Sequence, residues 1–189
     1  MKPQFREIKA TQMAGMLLRM SGGTMYYLKL MKLMYLIDRE GLLRWGRSIT
    51  NDAYVSMDNG CVLSQTLDLI KYESLGASYW KRFIVTISKH KKVELIAEPE
   101  TDELSRAEVN LIREQYEKFQ EMFGQLGEDD RWALADYTHD LPEWTHPEGS
   151  SIPITYKEVL KLEGKTDEEI NEILEELEEI ASFESLIKA

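Results

Sequence analysis

The spacing of apolar side chains predicts a chain that is mostly helical. Ile8–Met20 carries apolar residues at three- and four-residue steps, which is the spacing of one helix face. Ser21-Gly22-Gly23 ends this segment. Thr24 is then predicted to cap a second helix that runs to about Asp38, with Gly41 as its stop signal. This second helix is apolar on nearly all sides, so we expect it at the centre of the core.

One β-hairpin is predicted in the middle of the chain. Phe83–Ile87 and Val93–Ala97 each alternate apolar and polar residues, and a polar turn joins them. A lone hairpin is only marginally stable in water, so it must pack on the helices or pair with a third strand near Tyr54. Turn signals surround Tyr54–Met57, which we expect to be a short extended piece, and Leu63–Tyr72 returns to a helical pattern.

The second half of the chain contains three capping boxes, in which a Ser or Thr is followed three residues later by Glu. They begin at Ser105, Thr155 and Thr166. Between the first two, Gly124–Asp130 is predicted to be a loop and Arg131–His139 a short helix. The last helix has an apolar stripe, which we expect to dock on the body because an exposed stripe would be a liability in a monomer.

These elements predict a mainly α fold with a small antiparallel β-hairpin or sheet. The length of 189 residues suits one domain, and hydrophobic residues make up 43%, enough for a core. We therefore expect residues 1–189 to form a single domain. Residues 150–189 are predicted to be a helical acidic segment that packs on the body or extends from it.

Charge and composition narrow the classes of partner. The formal net charge is −11, and an acidic surface repels phosphates, which argues against nucleic acid as the partner. Much of the acidic charge follows Ile154, where a basic partner could dock, although such runs are often only solvated helix faces. No apolar run approaches the ~20 residues of a membrane helix. Cys61 is the single cysteine, which fits a reducing cytoplasm.

No metal or cofactor site is predicted. His90 lies in a Lys-rich turn that would repel a cation, while His139 and His146 lack the spacing of a zinc pair. Cys61 and His139 offer the residue types of a thiol hydrolase, but no local signature of one surrounds them. A lone cysteine is more often a small buried hydrophobe.

Several blocks of residues occur in an order that resembles a known family. The blocks are Lys29–Arg39, Trp45–Tyr54, Met57–Ser64, Leu104–Glu108 and Leu134–Trp144. Together they resemble the Panacea domain of SocA-like antitoxins, often found on phages and mobile elements, over residues 13–144. One departure is Gly60-Cys61-Val62, which stands where the family usually has Gly-Pro-Val.

The resemblance implies a mainly α fold with no known enzymatic activity and no cofactor. It also implies a cytoplasmic antitoxin that neutralises a cognate toxin by direct protein–protein contact. The alternatives are an adaptor that delivers a partner to a protease, a transcriptional autoregulator and, as a lesser alternative, a Cys-dependent hydrolase. A homodimer is also open, because the last helix could pair with its own copy.

Two sets of residues are candidates for the site. Trp, Tyr and Arg are enriched at binding hot spots. The mixed polar and aromatic stretch after the second helix is therefore predicted to border the partner groove. The alternative is that these residues only pack the loop on the core. Its members are Trp45, Arg47, Tyr54, Met57, Asp58 and Asn59. Asp38, His139 and Trp144 are predicted structural anchors. Asp38 would accept hydrogen bonds from the Asn51–Tyr54 turn, and His139 would be a buried ring bonded to a neighbouring loop.

Overall fold

The computed structural model describes residues 4–71 and 78–187, and most of these are helical. The helices within these ranges are α1 (Glu7–Met20), α2 (Tyr27–Trp45), α3 (Ser64–Lys71), α4 (Arg106–Phe123), α5 (Asp130–His139), α6 (Tyr156–Leu162) and α7 (Asp167–Ile187). The strands are β1 (Thr24–Tyr26), β2 (Tyr54–Met57), β3 (Gly60–Leu63), β4 (Ile84–Ile87), β5 (Lys92–Leu95) and β6 (Ile152–Ile154). The predicted mainly α fold with a small antiparallel β element is confirmed.

Helix α2 occupies the centre of the core, as its apolar sequence predicted. It packs against α1, α4, α5, α6 and β3. The predicted stop at Gly41 was wrong, because α2 continues to Trp45. It ends at Gly46, which has a φ of 69° and donates its N–H to Leu42 O. An isolated glycine costs a helix only ~1 kcal/mol, so burial of α2 carries it past Gly41.

The chain before α2 forms a strand instead of a helix cap. Thr24 lies in β1, so the predicted capping role of Thr24 was wrong. The helix begins at Tyr27, whose N–H is bonded to Lys91 O. The first free N–H group of α2 is therefore satisfied by the neighbouring hairpin and needs no side-chain cap.

The predicted hairpin is present as β4 and β5, but its third strand is not the one expected. The first sheet has the order β1-β5-β4, with Met25 opposite Val93 and Thr86 opposite Val93 on the other side. Tyr54 belongs to a second antiparallel sheet with the order β3-β2-β6. Of the two arrangements expected for the hairpin, packing on the helices is confirmed, because β5 contacts α1 and β4 contacts α3. The alternative of a third strand near Tyr54 was wrong, whereas the extended piece Tyr54–Met57 is confirmed as β2.

Strand β6 was not predicted. It has only three residues, and Pro153 stands in its middle, opposite Val55. Proline is tolerated there because β6 is an edge strand of the second sheet, so no further strand needs its missing N–H. This strand brings the chain after residue 150 back onto the β2–β3 hairpin.

The C-terminal helices begin as predicted. Ser105 and Thr155 each form a complete capping box, and Thr166 exchanges the same pair of hydrogen bonds with Glu169. The predicted loop Gly124–Asp130 is instead a 3₁₀ segment, Gly124–Asp129, followed by the first residue of α5. Of the predicted helix Leu63–Tyr72, the structure has Ser64–Lys71, and Tyr72 lies outside the described residues.

Helix α7 docks on the body through its apolar stripe, as predicted. Ile170, Leu177 and Ala181 are buried, and Ile173 packs beside Gly46 at the end of α2. Within residues 4–71 and 78–187, no helix is both long enough and apolar enough to cross a bilayer.

Candidate functional site: a clamped turn above a buried polar core

Asp38 ties the central helix to the loop that precedes β2. Its Oδ1 accepts the backbone N–H groups of Ile49 and Thr50, each at 2.8 Å, and its Oδ2 accepts the hydroxyl of Tyr54 at 2.9 Å. Donors were expected within Asn51–Tyr54. Tyr54 is one of the observed donors, but the two backbone donors, Ile49 and Thr50, precede that segment. Burial raises the pKa of Asp38 to about 7, against the opposing effect of these hydrogen bonds.

A second buried carboxylate, Asp52, plays the corresponding part for α3 and was missed from sequence. Asp52 Oδ1 accepts the N–H groups of Ala53 and Gln65, at 2.7 and 2.8 Å. Its Oδ2 accepts both the N–H and the hydroxyl of Thr66, at 2.8 and 2.7 Å. Asp52 thereby satisfies N–H groups at the start of α3 from a position outside that helix. Burial raises the pKa of Asp52.

Lys32 is a further polar residue of the core, and its role was not foreseen. Its side chain is fully buried, and its Nζ donates to Cys61 O at 2.8 Å. Burial lowers the pKa of Lys32 to about 7. The residue before Cys61, Gly60, has a φ of 91°, and a Cβ there would collide with Thr138 Oγ1. A lysine inside the otherwise apolar run Leu30–Ile37 was the sequence signal that could have found this site.

Arg39 forms a buried ion pair with Glu143, which was also missed. Arg39 Nε and Nη2 donate to the two carboxylate oxygens of Glu143, at 2.6 and 3.0 Å, and the Tyr35 hydroxyl adds a bond of 2.7 Å. Arg39 also donates to Glu163, just beyond α6. The network therefore joins α2 to the chain on both sides of β6.

The turn between β2 and β3 is clamped by the segment that follows α5. Trp144 Nε1 donates to Met57 O at 3.1 Å, and His139 Nε2 lies 3.0 Å from Asp58 O. Gly149 N–H is bonded to Asp58 Oδ1 at 3.3 Å. The His139 and Trp144 rings contact each other, with centroids 4.4 Å apart. His139 is only partly buried, with 29% of its side chain exposed, because its ring covers a surface turn; the expectation of a buried ring was wrong in this respect.

The side chains around this turn form one exposed polar and aromatic area, which we call the turn surface. Asp58 and Asn59 are exposed, and Met57 and Trp144 are half-buried. His146 extends the area, since its ring lies 5.9 Å from that of Trp144. The turn surface consists of Met57, Asp58, Asn59, His139, Trp144 and His146.

The six residues predicted to border a partner groove do not lie together. Tyr54 is only 1% exposed, so its inclusion in an accessible groove was wrong: its hydroxyl points to Asp38 and its ring packs on Tyr35. Trp45 and Arg47 lie at the C-terminal end of α2. The turn surface lies beside Lys32, and the thirteen residue steps from Lys32 to Trp45 span about 20 Å of helix.

The buried thiol is poorly placed for nucleophilic chemistry. Cys61 is 0% exposed, and its Sγ lies 3.8 Å from Thr138 O. Burial raises the pKa of the Cys61 thiol to about 11, which disfavours the thiolate. Among the residues that the structure describes, no group of three or more His, Cys, Asp or Glu side chains could hold a metal ion.

Comparison with known proteins gives the family. The sequence matches the family model described as antitoxin SocA-like, Panacea domain, over residues 30–145, which is more than half of the chain. The match includes α2 from Leu30 onward, the β2–β3 hairpin and the clamp at Trp144. Searches of curated proteins and of solved structures gave no match. The resemblance seen in the sequence is thus confirmed, and the chain belongs to the Panacea-domain family of SocA-like antitoxins.

Proposed function

We propose that this protein is an antitoxin that neutralises a cognate toxin in the cytoplasm by binding it directly, with the turn surface as part of the contact. The observation that carries the proposal is the family match over residues 30–145, which contains every member of the turn surface except His146. A protein that acts by binding needs an ordered, accessible surface, and the turn surface supports the proposal because it is both hydrogen-bonded and exposed.

The turn surface is suited to binding because its shape is set in advance. Hydrogen bonds to Met57 O, Asp58 O and Asp58 Oδ1 hold the turn from outside. On its buried side, Lys32 donates to Cys61 O, and Thr138 lies directly against Gly60. A contact surface that is already ordered loses little conformational entropy on association, which favours affinity. Trp144 adds an aromatic side chain of the type enriched at hot spots.

The charge and the thiol favour direct binding over two of the alternatives. A net charge of −11 opposes the DNA contact that an autoregulator needs. The buried, weakly acidic thiol of Cys61 opposes a hydrolase. An adaptor that carries the toxin to a protease would use the same contact with the toxin, so it differs from blocking only in what happens after binding.

The test is co-expression with the product of the adjacent open reading frame, scored by growth and by co-purification. We expect the neighbour alone to stop growth, and this protein to restore it and to purify in a complex. Asn59→Arg places a charge in the turn surface and should weaken the complex about tenfold or more. Asn110→Arg is the matched control, because Asn110 is also exposed but lies on α4.

Three results would count against the proposal. A harmless neighbour that forms no complex would remove the antitoxin function itself. Restored growth without a complex would remove direct binding. Equal binding by Asn59→Arg and Asn110→Arg would leave the function standing and remove the turn surface from the contact.

A further inference from the structure

The outward side of α7 carries a continuous row of solvent-exposed side chains. The row follows steps of four, three, four, four and three residues, so its members lie on one side of the helix. We call it the outer face of α7. It consists of Glu168, Glu172, Glu175, Glu179, Phe183 and Leu186. Ile170, Leu177 and Ala181, which are buried, lie on the opposite side.

The apolar end of the outer face is unusually exposed. Phe183 is 63% exposed and Leu186 is 75% exposed, more than any other large apolar side chain in the described ranges. A single exposed apolar residue is common and needs no explanation. Here two of them lie three residues apart on the same side of one helix, which is the arrangement by which amphipathic helices anchor in a partner's groove.

The acidic end of the outer face makes no ion pair within residues 4–71 and 78–187. Helix α7 carries nine acidic residues and no Lys or Arg. Three of the nine have cations close by: Asp167 has Lys161, Glu169 has Lys165 and Glu184 has Arg6. The four Glu residues of the outer face make no ion pair with any residue that the structure describes.

The negative charge of the outer face limits which kind of partner can bind there. A second copy of the chain would bring its own acidic α7 against the first, and like charges would oppose the pairing. Nucleic acid and anionic membranes are repelled for the same reason. A protein surface with a row of Lys or Arg beside an apolar pocket complements both halves of the outer face, because the row meets the carboxylates and the pocket receives Phe183 and Leu186.

We infer that the outer face of α7 is a second docking surface, and that it binds a basic groove with an apolar pocket on the cognate toxin. The inference rests on the proposed function, which supplies the toxin as partner. Helix α7 lies outside the family match at residues 30–145. It is therefore a segment through which this chain selects its own partner, while the matched part supplies the common scaffold.

The experiment measures the dissociation constant of the complex with the product of the adjacent open reading frame for two outer-face variants. The first neutralises the charges by Glu168→Gln, Glu172→Gln, Glu175→Gln and Glu179→Gln. The second removes the anchors by Phe183→Ser and Leu186→Ser. All six side chains are solvent-exposed, so circular dichroism should show an unchanged helix content.

Matched controls change the same chemistry elsewhere on the surface. The charge control carries Glu94→Gln, Glu100→Gln, Glu117→Gln and Glu121→Gln, which removes the same number of exposed carboxylates. The apolar control carries Ile96→Ser and Leu162→Ser, whose side chains are 58% and 52% exposed. The controls separate a local contact from a general change in charge or apolar surface.

We expect the dissociation constant to rise about tenfold or more in both outer-face variants and less than about threefold in the controls. The affinity of the wild type should fall as NaCl increases from about 50 to about 300 mM, and the charge variant should lose most of this salt dependence. Outer-face variants that bind as tightly as wild type would overturn the inference and leave the proposed function intact. A wild type that fails to bind the neighbour would overturn both.

Discussion

Replacement of Asp38 by alanine tests whether the buried carboxylate holds the loop before β2 on the central helix. The substitution removes the acceptor of three hydrogen bonds, from the N–H groups of Ile49 and Thr50 at 2.8 Å and from the Tyr54 hydroxyl at 2.9 Å. Asp38 is 0% exposed, so water cannot simply take over these bonds. The three donors would be left unpaired inside the protein.

The size of the effect follows from two opposing contributions. A buried donor without a partner costs about 1–3 kcal/mol, so three donors cost about 3–9 kcal/mol. Against this, Asp38→Ala removes a buried carboxyl whose pKa burial raises to about 7, and that relief offsets part of the loss. We expect a net loss of about 3 kcal/mol or more in the free energy of unfolding. For a chain of this length, that corresponds to a fall of about 6–12 °C in Tm.

The assay is urea unfolding followed by circular dichroism, with Arg44→Ala as the control. Arg44 is on the same helix, but it is exposed and its ion pairs with Glu40 and Glu114 lie at the surface, so its loss should cost at most about 1 kcal/mol. Asp38→Asn keeps a carbonyl oxygen for the two backbone donors, and its amide can donate to the Tyr54 hydroxyl. It should therefore cost less than Asp38→Ala.

The pH dependence gives a second measurement on the same residue. Because burial raises the pKa of Asp38 to about 7, the folded state holds a proton that the unfolded state releases near pH 4. The contribution of Asp38 to stability is thus greatest below about pH 4 and declines as pH rises to about 7, and Asp38→Asn should remove this decline. An Asp38→Ala protein within about 0.5 kcal/mol of wild type would refute the reasoning.

Three further predictions concern the buried side of the turn. Burial lowers the pKa of Lys32 to about 7, below its value in the unfolded chain, so the wild type should lose stability as pH falls from about 10 to 7. Lys32→Met should flatten this pH dependence of stability in thermal melts. The same pH dependence in both proteins would contradict the prediction. Gly60→Ala should cost at least about 2 kcal/mol in urea unfolding, because its φ is 91° and its Cβ would collide with Thr138 Oγ1. Gly22→Ala, at a φ of 88° with open space around it, should cost less, and equal losses would show that the collision is unimportant. Iodoacetamide should modify Cys61 many times more slowly in the folded protein than in urea, because the thiol is 0% exposed and burial raises its pKa to about 11. Rapid labelling of the folded protein would contradict the burial of Cys61.

Elements that depend on neighbouring residues were predictable from sequence. The capping boxes at Ser105, Thr155 and Thr166 join groups three residues apart, so the spacing of Ser or Thr and Glu is enough to place the helix starts. The β4–β5 hairpin was also predictable, because alternation along two adjacent segments specifies both strands and their pairing. The order of the family's residue blocks along the chain was by itself enough to predict membership of the Panacea-domain family.

The polar groups of the core were not predictable in the same way. Arg39 and Glu143 are 104 residues apart, and Lys32 bonds to a carbonyl 29 residues away. Nothing near these residues in the sequence identifies their partners. The anchoring of Asp38 was anticipated because a carboxylate beside so apolar a segment is expected to be paired, but two of its donors are backbone groups that carry no sequence signal.

The candidate binding residues were also predictable only in part: their types could be read from the sequence, but their relative positions could not. Trp45, Arg47, Met57 and Asp58 are close in sequence and were assigned to one groove. Trp45 ends α2, however, whereas the hairpin that carries Met57 and Asp58 is bonded through Cys61 O to Lys32, which lies about 20 Å further back along the same helix. Residue types predicted which side chains are suited to binding. Only the folded chain determined which of them share a surface, because that depends on contacts between segments distant in sequence, whose free energies no local pattern contains.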